Sequence, residues 1–230
     1  MYTQEFQIGG VPAVLYGKPA KSVWLFVHGQ GGNKEEALPF AALAEQCGCQ
    51  VVGIDLLEHG TRREEKGFTP WQVVPELQSV LTWLRQNWQT VSLRANSIGA
   101  YFSMLAFAGA PLGKALFVSP IVDMEQLICD MMHWAGVSQE QLREKGEITT
   151  DFGQTLSWQY LCWVREHPLH GWQVPTAVLY AGQDAMTARD TITAFAQANH
   201  AELTIYEPGE HWFHTQDQLD AMRRWEQEHL

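Results

Sequence analysis

A serine sits between small residues in Ala95-Asn96-Ser97-Ile98-Gly99, with Ala95 and Gly99 each two positions away. The preceding Val91-Ser92-Leu93 alternates apolar and polar residues as a buried strand does, and Ile98–Phe107 is small and apolar, as a buried helix is. A serine on such a strand-to-helix turn fits the G-x-S-x-G pattern, with alanine for the first glycine. Strain in the backbone there pushes the hydroxyl outward, and small neighbours let strand and helix pack without a clash. Such a hydroxyl is unreactive at neutral pH unless a base takes its proton. Two histidines compete for that role, His211 and His214, both in the polar stretch Glu207–His214. An acid that could orient the base is Asp184, which closes Ala181-Gly182-Gln183-Asp184. Blander readings stand beside these: a small residue at a tight turn for Ser97 and a helix N-cap for Asp184. The i,i+3 spacing of His211 and His214 would also suit a metal pair, but no third ligand stands at matching spacing.

These residues need a scaffold, and the chain supplies alternating strands and helices. Residues 3–8 and 12–16 predict a hairpin around Gly9-Gly10, and Ser22–His28 is an almost continuous apolar run, as in a strand buried on both faces. Asn33 with Glu36 three residues on predicts a capping box for a helix reaching Gln46, with Gly48 as its stop. Gln50–Asp55 predicts a strand and Leu56–Phe68 a loop. Thr69-Pro70 starts a helix that Pro75 should break, with a continuous helix from Pro75 to Trp88. After the elbow and Ala115–Ser119, residues 121–174 interrupt the alternation. They hold helical patterns around Met124–Trp134 and Leu156–Arg165 and no convincing strand. Strand, helix, strand and helix then follow at Thr176–Ala181, Ala188–Asn199, Glu202–Tyr206 and from Thr215. The expected fold is α/β, a mostly parallel sheet with helices on both faces.

Composition narrows the function. A chain of 230 residues with 46% hydrophobic residues can bury a substantial core as one domain with an insertion. A net charge of -11 argues against nucleic acid or an anionic membrane surface as partner. Cys47, Cys49, Cys129 and Cys162 have neither C-x-x-C spacing nor a histidine framework for zinc, so they read as buried, reduced thiols of a cytoplasmic protein. The start of the chain lacks a basic segment followed by an apolar one, so no signal peptide is expected. The uncharged stretch Ala95–Gly113 is interrupted by Asn96, Gly99, Gly109, Pro111 and Gly113, and reads as a buried helix and loop rather than a membrane anchor. No G-x-G-x-x-G loop is present, and nothing in the sequence calls for a metal or an organic cofactor.

In a parallel sheet, loops leaving the carboxyl ends of the strands share one edge. Four such loops carry His28–Gly32, Ser97, Gly182–Asp184 and Gly209–His214, in the chain order Ser, Asp, His. In these motifs the chain resembles the α/β-hydrolases over nearly its whole length, with residues 121–174 where that family commonly inserts a helical cap. The resemblance implies a core domain of residues 1–120 and 175–230 and a cap of residues 121–174. It implies Ser97 as nucleophile, His211, which stands near a preceding glycine and before an aromatic residue, as base, and Asp184 as its orienter. Asp123, after the apolar run Ala115–Ser119, is the runner-up acid, because some members carry it on that neighbouring strand. His28-Gly29-Gln30-Gly31-Gly32 resembles the family's HGxxG loop, which implies an oxyanion hole from the backbone amides of Gln30 and Ile98, with Gly29 or Gly31 as the alternative to Gln30. Glu58-His59-Gly60 resembles the family's structural turn after the strand that holds Asp55. Trp134, Trp158 and Trp163 in the cap suggest an apolar roof that contacts substrate. The expected substrate is a small or medium hydrophobic carboxylic ester. The same triad also serves amide, thioester and carbon–carbon cleavage and acyl transfer, and a non-catalytic ligand-binding relative is the alternative from another class.

Overall fold

The computed structural model describes residues 1–230. Ten strands and eight α-helices follow one another as β1 (Thr3–Ile8), β2 (Val11–Tyr16), β3 (Ser22–Val27), α1 (Ala37–Gln46), β4 (Cys49–Ile54), α2 (Pro70–Asn87), β5 (Thr90–Asn96), α3 (Ser97–Phe107) and β6 (Ala115–Val118). The segment that interrupts the alternation holds α4 (Met124–Trp134), α5 (Gln139–Lys145), β7 (Glu147–Thr149), β8 (Thr155–Ser157) and α6 (Trp158–Glu166). The chain closes with β9 (Thr176–Ala181), α7 (Arg189–Ala198), β10 (Glu202–Tyr206) and α8 (Gln216–His229). Eight strands form one sheet in the order β1-β2-β4-β3-β5-β6-β9-β10. The β1–β2 and β2–β4 pairs are antiparallel and all the others are parallel.

The period of two along each strand sends its side chains to opposite faces. On β3, Val23, Leu25 and Val27 join the larger core under α2 and α3, while Trp24 and Phe26 join a smaller core under α1 and α8. On β5 the first face receives Val91, Leu93 and Ala95. Arg94 goes to the second face, where its guanidinium lies over the rings of Phe26 and Phe40. Leu127, Ile128, Met132, Leu142, Leu156, Leu161 and Val164 of the 121–174 segment belong to the larger core, so that segment packs directly onto the sheet's α2/α3 side.

Three local expectations change. First, α2 runs unbroken through Pro75. The ring is exposed and lies one turn into the helix, so only the bond to the Trp71 carbonyl is lost, while Val73, Leu77, Val80 and Leu84 anchor the helix in the core. Second, residues 121–174, where at least two helices and no strand were expected, do contain strands, the three-residue pair β7–β8, and their helices number three with α5. Strands that short carry too few residues to show a period, and their turn is closed by the Thr150 hydroxyl donating to the Gln154 carbonyl. The short polar helix α5 buries only Leu142 and is set by its Ser138–Gln141 capping box. Third, the side chain of Asn33 caps a 3₁₀ turn, Lys34–Glu36, by accepting from the Glu35 amide, and α1 starts only after it. The thiols, too, are free but not buried as expected: Cys47 is exposed at the end of α1, and Cys49, Cys129 and Cys162 are half-buried.

Sheet and elbow meet at Gly99. A Cβ there would lie 2.3 Å from the His28 carbonyl oxygen and 2.9 Å from that of Val27. Gly99→Ala is therefore expected to lower stability by about 3 kcal/mol or to prevent folding, as overpacking against rigid backbone does. Urea unfolding of the variant checks this.

Candidate active site

Ser97 is the first residue of α3 and directly follows β5, with φ at 48°, in the left-handed region. That conformation is costly for a residue with a Cβ and persists where the surroundings fix it. Gly29 and Gly99 fix it here. A Cβ on Gly29 would lie 3.3 Å from the Ser97 Cβ, so the loop after β3 presses on the turn from one side while α3 crosses under it on the other. Ala95, at the first small position, is fully buried. The Ile121 amide donates to the Ser97 carbonyl and ties the elbow to the end of β6.

The neighbouring strand ends bring the other groups to the serine. His211 donates from Nδ1 to Asp184 Oδ2 at 2.8 Å, which leaves Nε2 to accept from the Ser97 hydroxyl, also at 2.8 Å. The Asp184 carboxylate is shielded from solvent, and its Oδ1 accepts the amides of Met186 and Thr187. Loop meets loop where the Gln183 amide donates to the Gly209 carbonyl. From α8, Gln218 holds the histidine loop, with its Oε1 accepting the His214 amide and its Nε2 donating to the Pro208 carbonyl. The competing residues stand apart. His214 is exposed beside Glu210, and Asp123 caps α4 by accepting the Gln126 amide.

Gln30 and Gly29–Gly32 line one cavity with Ser97 and His211. The Gln30 amide has no acceptor within the protein, and Ile98, in the first turn of α3, has an amide that helix geometry leaves unbonded. Under this loop lies a buried polar network. The His28 Nε2 accepts from the Leu56 amide at 3.1 Å, so the ring proton sits on Nδ1 and is donated to the Gly29 carbonyl at 2.8 Å. Burial lowers the His28 pKa to about 4, with the Gly29 carbonyl opposing. Asp55 accepts the amides of Lys34 and Thr61, the Thr61 hydroxyl and the Lys34 ammonium. Burial alone would raise the Asp55 pKa, but these donors hold it below the ordinary carboxylate range.

The cavity measures about 400 Å³ and lies between the glycine loop, α1 and α8. Its lining contains no residue of 121–174, so Trp134, Trp158 and Trp163, expected to contact substrate, do not border it. Trp134 is exposed against Phe152, Trp158 packs on the larger core, and Trp163 stacks on His167. Instead, residues to which the sequence assigned no role in the site stand there: Glu36, Arg94, Asn96 and Glu226. Arg94, fully buried, donates to Glu226 Oε1 at 2.8 Å and to Asn96 Oδ1, the residue before the serine. A lone arginine within an apolar strand is the one sequence signal for this pair. Glu226 lies among several charged residues of α8 and gives none.

The fold is that of the α/β-hydrolases, and several solved structures share it from end to end. Est1E from Butyrivibrio proteoclasticus, solved with ferulic acid bound, superposes with a TM-score of 0.78 at 15% identity, over 98% of this chain and 97% of that one. Alpha/beta hydrolase domain-containing protein 10 from mouse gives 0.75 at 12% identity, over 98% and 96%. A Pyrococcus furiosus esterase gives 0.70 at 12% identity, over 99% and 88%. No family model and no curated protein sequence matches the chain. No helix is long and apolar enough to cross a membrane.

The His28 geometry has a consequence for stability. The folded state binds no proton at His28 between its ordinary pKa near 6.5 and about 4, whereas the unfolded chain does. The contribution, on the order of 3 kcal/mol, is fully present above pH ~6.5 and is lost as pH falls toward ~4. Denaturant midpoints measured across that window should fall with acid, and His28→Asn should flatten the slope.

Proposed function

We propose that the protein is a serine hydrolase of carboxylic esters. The observation that carries this reading is the continuous hydrogen-bonded chain from the Ser97 hydroxyl through His211 to the Asp184 carboxylate. In the proposed reaction Ser97 Oγ attacks the ester carbonyl while His211 Nε2 takes the hydroxyl proton. The carbonyl oxygen becomes an anion held by the amides of Gln30 and Ile98. His211 then gives its proton to the departing alcohol, leaving an acyl group on Ser97. Water, deprotonated by the same imidazole, attacks that acyl group and releases the acid and the free serine. Asp184 keeps the proton on Nδ1, so that Nε2 is available as a base, and stabilises the imidazolium formed in each half.

Structures named as esterases are among those that share this fold, which supports reading the substrate as an ester, and a thioesterase domain shares it too. Hydrolysis of p-nitrophenyl esters graded from acetate to long acyl chains tests the reading. Ser97→Ala should abolish turnover, by about 10⁵-fold or more, and Asp184→Asn should cost about 10⁴-fold in kcat with the fold intact. A phosphonate that fails to label Ser97 in the folded protein would overturn the catalytic reading.

A further inference from the structure

The cavity beside Ser97 has an uneven charge inventory. Apart from His211, three ionisable side chains border it: Arg94, Glu226 and Glu36. Arg94 is 1% exposed and its guanidinium is fully engaged. Its Nε donates to Glu226, with which Nη2 also forms an ion pair, its Nη1 donates to the Ala95 carbonyl and to Asn96, and its Nη2 donates to Met222 Sδ. The pair is neutral together and holds no free donor for an anion. Glu36 has no salt-bridge partner, and its carboxylate lies over Gly32 of the glycine loop, where a Cβ would stand 2.8 Å from Oε1. Desolvation against that loop pushes Glu36 above the ordinary carboxylate range, with the Asn33 amide and the Arg94 charge opposing. Trp212, which follows the histidine, is 64% exposed and offers its indole to the same cavity, beside Phe213.

We propose that this cavity is a subsite for a compact substrate limb bearing a protonated amine, with Glu36 as its charge partner and Trp212 as its aromatic wall. A carboxylate and an aromatic ring at one cavity are the groups that recognise an alkylammonium ion. An anionic limb would meet Glu36 with no free cation to offset it, on a chain whose net charge is already -11. The volume, about 400 Å³, lies near the lower end for small-molecule sites and suits a short limb. The subsite lies on the α1/α8 side of the serine, away from residues 121–174. Its place in catalysis rests on the hydrolase reading of Ser97, but its binding chemistry does not.

Two measurements separate these layers. In the first, hexylamine and hexanoate are titrated calorimetrically into the protein at neutral pH, and each is tested for protection of Ser97 against a fluorophosphonate. The ammonium is expected to bind and protect, with hexanoate about tenfold weaker or silent. Glu36→Gln and Trp212→Leu should each weaken hexylamine about tenfold. In the second, p-nitrophenyl ω-aminohexanoate is compared with the hexanoate ester, and the butyrate ester of an amino alcohol with that of a plain alcohol. The pair that shows the amine preference identifies the limb. Equal affinity for ammonium and carboxylate, or unchanged hexylamine binding in both variants, would overturn the subsite. Failed labelling with ammonium binding intact would overturn the hydrolase reading and leave the subsite standing. Labelling intact without any amine preference would do the reverse.

Discussion

The left-handed turn at Ser97 is the constraint on which the rest of the molecule depends. A residue with a side chain holds φ at 48° only if its surroundings leave it no alternative. Here the surroundings are two backbone segments in direct contact, the glycine loop after β3 and the first turn of α3. The missing side chains of Gly29 and Gly99 allow that approach, and a methyl on Gly99 would clash with the His28 carbonyl oxygen. The parallel register of β3 and β5, Val27 beside Ala95, brings the two segments to the same level. Moving that register by one residue would take the loop away from the serine and leave the strained turn without support.

The loops around this turn are held by buried polar groups rather than by apolar packing alone. His28 bonds two backbone groups from different strand ends, and Asp55 gathers four donors from two loops. Helix α8 reaches the site twice, through Gln218 to the histidine loop and through Glu226 to Arg94 and Asn96. Buried charges of this kind contribute little net stability, because desolvation offsets most of the attraction. Their geometric demand is strict, however, and a half-satisfied network is strongly disfavoured. The C-terminal helix therefore sets the relative positions of the two loops that meet at Ser97.

Much of this was legible in the sequence. The elbow and the strand ends carrying Asp184 and His211 were readable because each pairs a chemical side chain with a strong local signal, an apolar run ending in glycine or a small residue. Reading failed where the local signal was weak or where tertiary packing outweighed it. Pro75 is a helix breaker by propensity, but its exposed position leaves the buried face of α2 intact. The β7–β8 pair is too short to show a period. Composition suggested the cap tryptophans as substrate contacts, but an aromatic residue can serve equally well in a core, and Trp158 is packed that way.

By itself, the sequence determined the α/β class, the strand order along the chain, and the residues able to act as nucleophile, base and acid. These follow from periodicity, small residues at turns and side-chain chemistry, all of which are local. Only the tertiary structure shows that His211, not His214, is hydrogen-bonded to Ser97, and that Asp184, not Asp123, is hydrogen-bonded to His211. It also revealed the Arg94–Glu226 pair, 132 residues apart in the chain, and placed the cavity beside α1 and α8 rather than beneath residues 121–174. Each of these depends on distances between segments far apart in sequence, set by the sheet's twist and by helices crossing it. No local pattern encodes such distances.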